Sequence, residues 1–197
     1  MTLNSRGLLA LTLPTALEQP LINLQQRLFQ ELGLASAVAL PPLLPLLWSS
    51  APLALESTRV VARLSRLSLR LTGRPPEIME GEIVLPIEIA PHRGGPESAA
   101  PLSLMRETAQ MEAIAADRCG SLRDPETPFP LFDAIRLATP ETPRSYELLS
   151  RLQGEPIRGE SGAITVVSLR LLLGSEAAWW QHLYYEAVAQ QRVTVRN

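Results

Sequence analysis

Few residue types in this sequence could carry out chemistry. The chain has two histidines, His92 and His182, one cysteine, Cys119, and no lysine, because all 18 basic residues are arginines. The absence of lysine excludes Schiff-base chemistry and a phosphate-loop lysine. Neither histidine has a His, Cys, Asp or Glu at metal-ligand spacing, so we expect no metal and no cofactor. Cys119 has no evident histidine partner, so we do not expect it to act as a nucleophile.

The arginines and two carboxylates are the remaining candidates. Arg136 lies on a predicted strand, where its guanidinium could bind a phosphate or simply pair with a neighbouring carboxylate. Arg70 belongs to a positive stretch that is either a phosphate-binding groove or a solvated face; its other members are Arg63, Arg66 and Arg74. Asp133 and Glu141 lie near Arg136 in sequence, but no acid/base pair is identifiable.

Composition limits the class of protein. The 197 residues are 46% hydrophobic and 19% charged, with a net charge of −2, which indicates a globular chain and argues against a duplex DNA partner. No charged residue lies between Glu31 and Glu56, but four prolines break this stretch as a helix: Pro41, Pro42, Pro45 and Pro52. We therefore expect no membrane span and a cytoplasmic location.

The first half of the chain predicts strands, two helices and a hairpin. Residues 7–13 form an apolar strand, and Thr15 with Glu18 has the spacing of a capping box that opens a helix ending at Gly33, although Pro20 suggests a later start. A strand at 35–40 follows and enters a Pro-rich loop, and a short helix is predicted from Ser57 to Leu64. Alternating residues then predict a hairpin of two strands at 65–72 and 82–89, with Pro86 at an edge or bulge. A linker at 91–100 ends this half.

The second half predicts helices at 101–118, from Thr142 to Gly154 and from Ser175 onward, and strands at 132–138 and 163–173. Ala134 and Arg136 lie on one face of the first of these strands. The fold class is therefore α+β, with two pseudo-symmetric sheet-and-helix lobes facing each other across a central groove. We expect one bilobal domain over residues 1–197, with halves of about 1–90 and 101–197.

Aromatic residues are densest on the final predicted helix. Trp179, Trp180, Tyr184 and Tyr185 cannot all face one core, because neighbours on a helix are about 100° apart. They either pack against both lobes or form a contact surface for a protein partner or a second copy of the chain.

The order of elements, with a Pro-rich segment at 41–46 and a strand segment at 133–138, resembles the two-histidine phosphoesterase superfamily, which includes the 2'-5' RNA ligase-like proteins. The resemblance implies two His-x-Thr/Ser motifs that meet across the groove. It places Leu43 and Pro45 at the first motif and Ala134 and Arg136 at the second, or Asp133 after a shift of one residue. None of these supplies the expected imidazole.

The resemblance therefore implies a fold without its usual reaction, since one imidazole must accept a proton while the other donates one. The first hypothesis is a catalytically degenerate protein whose groove binds a nucleotide or an RNA end through Arg136, Arg70 or Asp133. The second is a protein–protein interaction module or homodimer that uses the aromatic helix. An enzyme with a rearranged site is the third.

Overall fold

The structure is a computed structural model, and it describes residues 4–55, 67–91, 101–115, 120–121, 127–149, 156–161, 163–174 and 178–194. The strands in these ranges are β1 (Asn4–Thr12), β2 (Leu44–Ser49), β3 (Leu67–Thr72), β4 (Glu77–Met79), β5 (Glu82–Pro91), β6 (Gly120–Ser121), β7 (Ala134–Ala138), β8 (Arg158–Ser161), β9 (Ala163–Leu173) and β10 (Tyr184–Thr194). The helices are α1 (Thr15–Leu32), α2 (Pro101–Ala115) and α3 (Pro143–Leu149), with 3-10 turns at Ala35–Ala37 and Trp179–His182.

The strands form two antiparallel sheets, which confirms the α+β class. The first sheet has the order β10-β9-β1-β2-β6, and the second has the order β4-β5-β3-β8, with β7 paired to β5. Each sheet takes strands from both halves of the sequence, so the sheets do not follow a division at residues 91–100. A single bridge between Leu43 and Arg136 connects the start of β2 to β7.

The main core lies between one face of each sheet and the two long helices. Leu21, Leu24 and Leu28 of α1 and Leu102, Met105 and Ala109 of α2 pack on the odd-numbered residues of β3, β5 and β7. Ile135 and Leu137 belong to this core, so Ala134 and Arg136 face the other way, as the alternation predicted. A second cluster covers the opposite face of the first sheet and contains Leu43, Trp48, Phe129 and Trp179.

Helix α1 shows where local sequence signals succeed and fail. It begins at Thr15 with Pro14 as its N-cap and no side-chain capping bond, so the predicted capping box does not form. Pro20 lies inside the helix, so the later start was also wrong. Gly33 closes the helix in the left-handed conformation (φ 72°), and its N–H donates to Phe29 O at 2.9 Å, as in an αL C-cap.

The segment after Gly33 is not the predicted strand at 35–40. It is a 3-10 turn held by side chains, because Ser36 N–H donates to Glu141 and Ser36 Oγ donates to the carbonyl of Thr139. The strand lies later, at Leu44–Ser49, within the Pro-rich stretch. Tertiary hydrogen bonds therefore override the apolar run here.

The predicted C-terminal aromatic helix is also wrong. Trp179–His182 is a 3-10 turn, and Tyr184–Thr194 is an eleven-residue edge strand paired with β9. Aromatic and β-branched residues favour a strand when a partner strand is available, and β9 supplies one.

Pro86 lies within β5, opposite Ala134, two residues from the register shift between Ile83 and Val84.

Other predicted elements are confirmed in part or lie outside the described residues. The strands at 67–72, 82–89, 134–138 and 163–173 are present, while α2 is described to Ala115 and α3 to Leu149. The predicted helix at 57–64, the linker residues 92–100 and Cys119 are outside the described ranges. In the part of the chain that is described, no helix combines the length and apolar character needed to cross a bilayer.

Candidate functional site

Arg136 lies at the point where the segment at 41–46 meets the segment at 133–138. Its backbone N–H donates to the carbonyl of Leu43 at 2.8 Å, and its side chain is fully buried. Leu43 and Ala134 are fully buried as well. The resemblance implied that positions 43 and 134 face each other across a groove. In the structure the bridge joins Leu43 to Arg136, two residues after Ala134, and Leu43 and Ala134 belong to different buried clusters.

Two aromatic rings enclose the guanidinium. The Arg136 Cζ lies 4.8 Å from the ring centroid of Phe129 and 4.9 Å from that of Trp179. Phe129 also packs edge-on against Trp48, with centroids 5.0 Å apart, and Trp48 Nε1 donates to the carbonyl of Phe129. Arginine stacks well on aromatic faces, particularly where water is excluded. We call Arg136, Phe129 and Trp179 the aromatic clamp.

Glu82 is the counter-ion of Arg136. Its Oε2 lies 3.1 Å from Arg136 Nε, and both carboxylate oxygens are 2.9 Å from Thr139 Oγ1, which donates to them. The same hydroxyl oxygen accepts from Arg136 Nη2 at 3.1 Å. The charged pair and its threonine are therefore bonded to one another and do not face solvent.

Burial shifts the pKa values of both charged groups. Burial raises the pKa of Glu82 to about 7, while the charge of Arg136 and the hydrogen bonds from Thr139 and Arg136 oppose that rise. Burial also lowers the pKa of Arg136, with Glu82 opposing the change. The guanidinium stays protonated at neutral pH because its ordinary pKa is far above 7.

Three buried nitrogens of the aromatic clamp make no hydrogen bond among the described residues. Arg136 Nε still has Glu82 as its ion-pair partner, whereas Nη1 of Arg136 and Nε1 of Trp179 have no acceptor. Buried N–H groups are normally bonded, so such donors indicate a place for a small acceptor such as water or an anion oxygen. Trp179 is only 7% exposed, so its ring covers Arg136 from solvent.

Arg106 of α2 is a functional-site residue that sequence reasoning missed. Its Nη1 donates to Asp133 at 2.6 Å, and its Nη2 donates to the carbonyls of Pro45 and Phe132 at 3.1 and 2.9 Å. It therefore joins β2 to the residues just before β7. The available signal was an arginine beside the apolar stripe of Leu102, Met105 and Ala109. Glu82 is the first residue of a predicted strand and Phe129 lies before another, and neither gave a comparable signal.

The remaining predicted site residues do not join this cluster. Asp133 is bonded to Arg106, and Arg70 is exposed between Glu88 and Glu160 of the neighbouring strands. Trp180 packs on Trp179, whereas Tyr184 and Tyr185 are exposed on β10. Arg74 pairs with Glu77. His182 is exposed, while His92, Arg63 and Arg66 lie outside the described residues.

Gln25 of α1 connects two backbone segments next to this site. Its Nε2 donates to the carbonyls of Leu40 and Leu137 at 3.1 and 3.0 Å, and the side chain is buried. One amide therefore ties the segment before Leu43 to the end of β7. Within the described residues, no group of His, Cys, Asp or Glu side chains is arranged to hold a metal ion.

Comparisons with known proteins give a limited result. No family model matches the sequence, and no curated protein matches it. Crystal structures of E. coli LigT in its apo form (14% identity, TM-score 0.47) and complexed with 3'-AMP (11% identity, TM-score 0.48) resemble the chain. Each match covers 98% of this chain and 99% of that chain. At these values no residue takes a role from the likeness.

The ion pair leads to a prediction on stability. Replacing Arg136 with leucine leaves Glu82 buried without its partner and should destabilise the fold by about 3–5 kcal/mol. The double variant Arg136→Leu/Glu82→Leu should be more stable than either single variant, because no unpaired charge remains. Urea unfolding of the four chains measures this coupling. Additive losses would show that Glu82 and Arg136 do not stabilise each other.

The raised pKa of Glu82 predicts a pH dependence. The folded chain holds the proton up to about pH 7, whereas the unfolded chain releases it near 4.5, so this group's contribution to stability is full below 4.5 and is lost as the pH rises to 7. The free energy of unfolding should fall across this window by up to about 3 kcal/mol. Glu82→Gln, which cannot titrate, is the control and should lack this component. A constant difference between the two chains from pH 4.5 to 7 would contradict the shift.

Proposed function

We propose that this chain is a catalytically inactive protein with a two-histidine phosphoesterase-like architecture. The observation that carries the proposal is the 2.8 Å hydrogen bond between Leu43 and Arg136, which brings together the two segments where the resemblance expects catalytic motifs. At the meeting point the side chains at the expected motif positions are those of Leu43, Pro45, Ala134 and Arg136. Aliphatic groups neither accept nor donate a proton and a guanidinium stays protonated at neutral pH, so the acid/base step has no agent there.

The nearby carboxylates do not replace the missing imidazoles. Asp133 binds Arg106, and Glu141 accepts from the backbone N–H of Ser36. Glu82 has a pKa near neutrality, as a general acid or base would need. The Glu82 side chain, however, is only 5% exposed, and its two oxygens contact Thr139 and Arg136. We therefore assign Glu82 a structural role and favour inactivity over a rearranged enzyme.

Binding of a nucleotide or an RNA end is the finer part of the proposal. Its support is the pair of buried donors, Arg136 Nη1 and Trp179 Nε1, which a phosphate oxygen would satisfy. Arg136 is fully buried, so entry of a phosphate requires the Trp179 ring to move. The affinity must then be reduced by the cost of opening the aromatic clamp.

The aromatic helix proposed as a protein contact is absent, and what remains of that idea is a strand edge. Among the described residues β10 pairs only with β9, and Tyr184, Tyr185 and Val188 are exposed on it. A long edge strand is a general site for strand addition. The described residues do not indicate what covers it, so we base no function on this edge.

The loss of catalysis is tested with a 2',3'-cyclic nucleotide as substrate. We expect no turnover above the rate in buffer, because no proton acceptor and donor face a common point. Glu82→Gln and Asp133→Asn serve as matched controls, and each should behave as the parent does. Turnover by the parent that disappears in either variant would overturn the proposal.

The binding claim is tested by calorimetric titration with 3'-AMP and with a short RNA. We expect saturable binding that weakens about tenfold in Trp179→Phe, which keeps a ring over Arg136 and removes the Nε1 donor; one charge-assisted site of this kind is worth about that factor. Trp180→Phe is the control and should bind as the parent does. If binding does not saturate, or if both variants bind with equal affinity, the proposed nucleotide binding is wrong. The proposed inactivity does not depend on this result.

A further inference from the structure

A second candidate site lies on the main-core face of the second sheet, whereas Arg136 lies on the other face of that sheet. A cavity of about 550 Å³ opens between α1, the turn after β3 and the residues that lead into β8. This volume is in the range of small-molecule sites. Leu17, Leu24, Leu85 and Ile157 supply apolar lining, and all four belong to or pack against the main core. The cavity therefore has an apolar floor that is continuous with the main core.

The polar groups that line this cavity are hydrogen-bond donors. Arg27, Arg74 and Arg158 line it, and none of the described Asp or Glu residues does, although the chain as a whole has a net charge of −2. Arg27 pairs with Glu31 at 2.7 Å and Arg74 with Glu77 at 3.3 Å, and neither carboxylate is part of the lining. Asn23, the remaining amide, accepts from Gln19 through Oδ1, which leaves its Nδ2 to donate.

Arg158 carries an unpaired guanidinium. This group makes no hydrogen bond or ion pair with a described residue, unlike the guanidinium groups of Arg27 and Arg74. Its side chain crosses Gly73, where a Cβ would come within 2.4 Å of Nε and 2.8 Å of Cγ. Gly73 also has a φ of 81°, which favours glycine. The turn therefore makes room for Arg158 at the rim of the cavity.

We propose that this cavity binds a small amphipathic anion, with an apolar body on the leucine floor and a carboxylate or phosphate head held by Arg158 and Arg74. A guanidinium binds either head group through paired charge-assisted hydrogen bonds. The apolar body is needed because exposed arginines alone hold small anions weakly in water. The site is independent of the aromatic clamp and of the proposed loss of catalysis.

The test is calorimetric titration of the full chain with decanoate, decyl phosphate and decanol. We expect one-to-one saturable binding of at least one of the two anions and at least tenfold weaker binding of decanol. The two anions distinguish a carboxylate site from a phosphate site. Equal affinity for decanol, or a response that does not saturate, would show nonspecific adsorption of an amphiphile and would overturn the proposal.

Variants test whether the anion binds at this cavity or elsewhere on the surface. Arg158→Gln and Arg74→Gln should each weaken anion binding about three- to tenfold and leave decanol binding unchanged. Both residues are exposed, so their replacement should preserve the urea unfolding midpoint. Arg144→Gln on the exposed side of α3 changes the net charge equally and should bind as the parent does. Equal weakening in all three variants would indicate a general charge effect and would overturn the site.

Discussion

The burial of one guanidinium constrains the rest of the structure. Moving a charge out of water costs several kcal/mol, and the cost is recovered only where opposite charge and hydrogen bonds surround the ion. Arg136 obtains these from Glu82 of β5, from Thr139 after β7 and from the rings of the aromatic clamp. The second sheet, the 127–132 segment and the turn at Trp179–His182 must therefore converge on this single side chain.

The same constraint explains the order of the irregular segments nearby. Thr139 bonds the ion pair through its hydroxyl, while its backbone N–H donates to Ser36 Oγ, and Ser36 Oγ donates to the Thr139 carbonyl. Backbone groups buried in a loop must find such partners, because water is not available to them. Gln25 and Arg106 serve two further pairs of carbonyls. Side chains thus hold the connection between the sheets where strand pairing is limited to one bridge.

Elements whose pattern reflects burial could be predicted from the sequence. Alternation predicted the strands at Leu67–Thr72 and Ala134–Ala138 and the face on which Arg136 lies, and the apolar run at Ala163–Leu173 predicted the third strand. The turn at Ala35–Ala37 could not be predicted, because it is fixed by Thr139 and Glu141, more than 100 residues away. The partners of Arg136 could not be predicted from the sequence for the same reason. Glu82 and Phe129 come from different segments, and neither has a local pattern that marks it as a neighbour of an arginine.

A reactive groove and a buried ion pair make opposite demands on water. Acid/base groups need access to substrate and exchangeable protons, which requires an open, hydrated site. A guanidinium held between two rings is most stable when water is excluded. Leu43 and Ala134 favour the dry arrangement, since both are fully buried and neither requires a polar partner. Leu43, Ala134 and the enclosed Arg136 thus form one region without water between the two segments, and this region stabilises the fold.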